Sequence, residues 1–68
     1  MSEGVVCKLR FETTLKDGLL LHIYQIGKEY AVCTFSESSV ESIKIFESSS
    51  GLRKHMKVKY GIGVNIDD

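Results

Sequence analysis

The chain has 68 residues, 43% apolar and 26% charged, with nine basic against nine acidic side chains and no proline. That length limits it to one domain, residues 1–68 with an ordered core over about 5–66; a chain so small buries only roughly 60% of the surface its unfolded form exposes, so a partner or a second copy is an expected source of stability. Zero net charge excludes an argument from overall basicity to nucleic acid, the even spread of apolar residues excludes disorder, and the lack of any run of ~18 apolar residues excludes a membrane-spanning helix.

Met1-Ser2-Glu3-Gly4 lacks the basic-then-apolar layout of a signal peptide, and two cysteines are fewer than a small secreted domain usually carries; together they predict a cytoplasmic location. Residues 5–12 alternate, with Val5, Cys7, Leu9 and Phe11 on one face, and predict the first strand. Asp17-Gly18 is a strong turn signal. A three-residue loop, Lys16-Asp17-Gly18 with Gly18 left-handed, sets Phe11 opposite Ile23. The second strand, 19–26, is apolar on both parities. Gly27-Lys28 turns the chain into the third strand, 29–35. The register of this second hairpin is open. A two-residue loop pairs Ile23 with Val32 and a three-residue loop pairs it with Cys33; only the latter, or a bulge, collects the odd-numbered residues into one core.

Residues 36–51 admit two readings. As a helix, Val40, Ile43 and Phe46 form a stripe, Ser36 is the N-cap, Phe35 and Val40 staple the entry, Glu37 and Glu41 favour the N-terminus, and Gly51 stops it; this predicts a helix over 37–49. As a strand, Ile43 and Ile45 alternate about Lys44, but Val40 and Phe46 fall on the wrong parity; a strand here makes a small five-stranded barrel of the SH3 or OB type. The run 56–67 alternates without a break and predicts a long, half-buried final strand. The fold expected is α+β, an antiparallel sheet of order β-β-β-α-β with one helix on one face. Its core is expected to take Val5, Cys7, Leu9 and Phe11, then Leu19, Leu21 and Ile23, then Ala31, Cys33 and Phe35. Val40, Ile43 and Phe46 join from the helix, and Met56, Val58, Tyr60, Ile62 and Val64 from the last strand.

Cys7 and Cys33 are expected as buried, reduced thiols. Cys7, Cys33, His22 and His55 satisfy a Cys2His2 count, but no closely spaced pair forms a chelating knuckle, so no metal or other cofactor is expected. No Ser/His/acid or Cys/His pairing can be placed, which argues against an enzyme. The informative surface is the sheet face left by the helix. Parity assigns it Lys8, Arg10, His22, Tyr24, Tyr30, Lys57 and Lys59, with Arg53 and Lys54 adjoining. Cations interleaved with aromatics on an open sheet suit single-stranded nucleic acid, the rings stacking bases and the cations tracking phosphates. The expected function is therefore a non-catalytic nucleic-acid-binding module. The alternative is a protein-interaction or regulatory module, including a homodimer, because the same face holds Val6, Leu20, Ile26 and Val32. Convergence of Lys8 and Arg10 with Lys57 and Lys59 discriminates between the two, and it requires the first and last strands to be neighbours.

Overall fold

The computed structural model describes residues 7–66; Val5, Val6 and Asp67, which the sequence assigns to strands, lie outside them. Four strands, β1 (Cys7–Thr14), β2 (Leu20–Ile26), β3 (Glu29–Phe35) and β4 (Val40–Phe46), form one antiparallel sheet in chain order. They are followed by a helix, α1 (Ser49–His55), that continues into a π-helical turn, Met56–Tyr60. The protein is thus a small α+β domain with a helix on one face of the sheet, as expected. The order, however, is four strands and then the helix. β1 and β4 are the two edges of an open sheet, so the barrel alternative is also set aside.

The first hairpin follows the predicted turn. Leu15 N–H donates to Leu19 O at 2.7 Å around Lys16-Asp17-Gly18, Gly18 has φ +91°, and Phe11 lies opposite Ile23. Asp17 Oδ1 caps the turn by accepting from Leu19 N–H at 3.2 Å. The second hairpin uses the two-residue Gly27-Lys28 loop, with Gly27 at φ +64°, and pairs Ile23 with Val32. The face toward the helix therefore takes odd residues from β2 and even ones from β3: Leu21 and Ile23 beside Tyr30, Val32 and Thr34, all at most 4% exposed. The all-odd core is corrected accordingly. A bulge at Arg10, between Leu9 and Phe11, further splits β1. Phe11 packs on the core while Leu9 and Cys7 are exposed on the opposite side.

The predicted helix over 37–49 is instead β4. Ser36 does cap, but it caps a hairpin turn: its Oγ accepts from Ser38 and Ser39 N–H at 3.4 and 3.3 Å while Ser36 N–H donates to Ser39 O at 2.8 Å. The same short-range hydroxyl chemistry serves helix starts and turns, so the signal was genuine and its context ambiguous. The parity objection to a strand dissolves at two points. A register shift leaves Glu41 unpaired and puts Val40 opposite Phe35, on the side of Ile43 and Ile45; Phe46, opposite Tyr30, faces the helix and packs on His55 with ring centroids 4.8 Å apart.

The predicted final strand is a second correction. Ser48 is the true N-cap, accepting from Gly51 N–H at 3.3 Å, so Gly51 sits in the first helical turn rather than at a helix end. Leu52, Met56 and Tyr60, spaced by four, bring an apolar stripe onto the sheet; Leu52 and Met56 are fully buried, and Val58 is 77% exposed. Gly61 at φ +71° ends the helical segment, its N–H bonding Lys57 O at 3.0 Å. Only beyond it does the alternation express itself as extended chain. Val64 and Ile66 are buried while Gly63 and Asn65 are exposed, and no strand pairs with them among the described residues. Arg53 Nη1 ties this segment back to α1, donating to Ile66 O at 2.5 Å and to Ser49 Oγ at 3.2 Å.

Candidate functional site

The sheet has two apolar faces and the helical segment covers one. On the other, the register sets Leu9, Tyr24, Ala31 and Ile45 in one row across the four strands, and Glu12, His22, Cys33 and Ile43 in the next. Leu9 is 47% exposed, Val40 62%, Ile43 60% and Ile45 52%, although all are strand residues whose side chains ordinarily face a core. Ala31, on a central strand between the larger Tyr24 and Ile45, is only 4% exposed, screened by its neighbours. The helical segment packs on the other side of the sheet and leaves this face uncovered among the described residues. The sequence carried a signal for this surface in the Ile43-Lys44-Ile45 alternation, which the helical capping pattern outweighed.

The polar centre of the face is His22. Its Nδ1 lies 2.9 Å from the Tyr24 hydroxyl, its Nε2 lies 3.4 Å from Glu12 Oε1, and its ring meets Phe35 edge-on at 4.8 Å. Both ring nitrogens are therefore occupied, and neither is free to act as base toward Cys33, its register partner on β3. Burial, and secondarily the nearby Cys7, pushes the Cys33 thiol pKa up, which opposes formation of a nucleophilic thiolate. Cys7 and Cys33 are both free, one exposed and one half-buried, and lie on the uncovered side rather than in the core, which corrects the expected burial. His55 belongs to the opposite face, against Phe46 and Tyr60, so the four residues of the Cys2His2 count do not assemble. Among the described residues no three metal-ligating side chains cluster.

The candidate binding residues divide into three groups. His22 and Tyr24 lie on the uncovered face as expected. Tyr30 does not; it is 1% exposed beneath the helical segment. Lys8, in register with Gln25, and Arg10, bonded to Gln25, belong to the edge strand β1. Arg53 and Lys54 are on α1, and Lys57 and Lys59 are on the π-helical turn rather than on a sheet strand. α1 packs on β3 and β4, while Lys59 and Tyr60 of the π-helical turn line a hollow with Thr13 and Thr14 at the end of β1. Lys8 shares a register row with Gln25 and the helix-facing Tyr30, so it is not on the uncovered face, and Lys57 and Lys59 are not on the sheet at all. The cations make their own cluster on the helical side, where Gly51, Lys54, His55, Val58 and Lys59 line an open hollow of about 290 Å³. Burial first, and then the charges of Lys59 and Lys44, hold the His55 pKa below the ordinary imidazole value.

Comparison with protein-family models, with curated proteins and with solved structures finds no match. No helix among the described residues is long and apolar enough to cross a membrane.

Proposed function

We propose that the protein is a non-catalytic protein-interaction module whose uncovered sheet face is the docking surface. The observation that supports this is the joint exposure of Leu9, Val40, Ile43 and Ile45 on one contiguous sheet face. Exposed apolar surface of this extent is unfavourable in water, at roughly 25 cal/mol for each Å² left uncovered, and on a folded domain it marks a surface that a partner covers. His22, Tyr24 and Glu12 supply the few polar groups that orient such a partner. A photo-crosslinking residue placed at Ile43, with the same residue at Val58 on the helical side as control, tests this in the cell. Protein adducts from position 43 and none from 58 are expected. Equal adducts from both positions, or none from 43, overturn it.

A second reading, nucleic-acid binding, is favoured by the cationic cluster on the helical side, since Lys54 and Lys59 flank His55 and Lys44 lies close enough to act on the same ring. On this reading Lys54→Glu with Lys59→Glu lowers affinity for a single-stranded oligonucleotide and flattens its salt dependence, each lost phosphate contact removing roughly 0.7 from the log–log slope. An oligonucleotide that does not bind the wild-type protein at low salt removes it.

A further inference from the structure

Resting on the docking reading above, we infer that the occupant of the uncovered face is a second copy of this chain, packed sheet on sheet to give a helix–sheet–sheet–helix sandwich. Three features of the face point to a copy of itself.

The first is charge. A two-fold interface sets the same patch on both sides, so any charge in its middle meets its own kind. By register the described residues place no lysine on the uncovered face. Its acids are peripheral: Glu12 stands on the edge strand β1, where His22 engages it, Glu29 stands at the first position of β3, and the bulged Glu41 lies on the other edge strand, β4. Arg10 is engaged by Gln25, whose register row also holds Lys8 and the helix-facing Tyr30. Apart from His22, which already engages Glu12 and Tyr24 within its own chain, the centre of the face is apolar, and that limits like-charge repulsion in self-contact. The lysines of the helical segment lie on the far side and stay solvated.

The second is relief. Stacked sheets sit ~10 Å apart and need side chains that interdigitate. The small Ala31 lies low between the larger Tyr24 and Ile45, while Ile43 and Ile45 project from β4 at 60% and 52% exposure, so the face has the high and low points that interdigitation with a copy uses.

The third is area. Four strands of seven to eight residues cover a projected footprint of about 19 by 23 Å, or ~440 Å² per copy. Two such faces give a projected ~880 Å², below the ~1,200 Å² at which stable specific interfaces begin. Even with the whole face covered, the dimer belongs to the weak, reversible class that separates on dilution.

Sedimentation velocity over a range from about 1 to 300 μM, run beside thiol labelling of the wild-type protein, tests this. The mass is expected to rise from 7.6 kDa toward twice that value, with the labelling rate of Cys33 falling at least several-fold over the same range. Ile43→Lys with Ile45→Lys should hold the mass at one copy and keep Cys33 reactive throughout, while Val58→Lys should leave the wild-type behaviour unchanged. A wild-type protein that stays monomeric with concentration-independent Cys33 labelling overturns the self-association. If position 43 still crosslinks to another protein in that case, the docking reading survives alone; if it does not, both fail. A dimer that leaves Cys33 reactive joins through an edge strand or the helical face, and also overturns the proposal. Should the double variant not fold, the concentration dependence of Cys33 labelling in the wild type decides by itself.

Discussion

Two single side chains expose how the parts depend on one another. Ser42 reads as an exposed serine in a polar stretch, yet its Oγ lies 2.6 Å from Thr34 Oγ1, and Thr34 is 4% exposed. Ser42→Ala leaves that buried hydroxyl without this partner and should cost about 1 kcal/mol in denaturant unfolding; a gain in stability would contradict the strand assignment of β4. His55 is the pH-sensitive counterpart. Because its folded pKa is depressed by burial, Lys59 and Lys44, the folded protein holds its proton less readily than the unfolded chain. The stability linked to neutral His55 is complete above the unfolded value of ~6.5 and is lost as pH falls through the lower folded value. The unfolding midpoint of the wild type should therefore drop between about pH 7 and pH 5 more than that of His55→Gln, and parallel pH profiles for the two proteins would remove the assignment.

Among the elements, the helical segment depends on its cap and its stripe. Ser48→Ala removes the acceptor for Gly51 N–H and should cost about 1 kcal/mol. Met56→Ala opens a hole where α1 meets the sheet, in a residue with no exposure, and should cost roughly 2–5 kcal/mol. Val58→Ala, two positions on and 77% exposed, should change stability by less than ~0.5 kcal/mol. On a strand with the predicted alternation Met56 and Val58 would share a face and respond alike, so the contrast between these two thermal melts separates helix from strand for this segment.

Taken whole, the domain is only 15 Å through its thinnest axis, with one apolar sheet face closed by its own helix and the other uncovered among the described residues. Its thermal midpoint should rise with protein concentration in step with the sedimentation change, because a dimer stabilises the folded state by mass action; a concentration-independent midpoint would count against self-association. Much of this architecture was legible in the residues. The three-residue Lys16-Asp17-Gly18 turn, the Phe11–Ile23 pairing and the three-stranded start follow from turn chemistry and alternation, which act within a few residues and need no distant partner; the α+β class also held, but with its helix in a different segment from the one the capping pattern predicts. The greasy character of the uncovered face was legible in part, through Leu20 and Ile26; Val32, read with them, is instead 2% exposed on the helix-facing side, and Val6 lies outside the described residues. What only the tertiary structure decided is which local option prevailed where two were available. Ser36 and Ser48 both offer an N-cap, and the hairpin partner β3 claimed the chain after Ser36, leaving Ser48 to start the helix. The run from Met56 carries period two and, with Leu52, period four; burial of Leu52 and Met56 on the sheet selected the helix for its first half and left the second half extended. The placement of Lys57 and Lys59 on the π-helical turn followed that choice, and so the uncovered sheet face is apolar rather than basic. Capping and periodicity state what a segment can form, and the free energy that chooses between equal local options comes from the long-range burial that only the assembled sheet supplies.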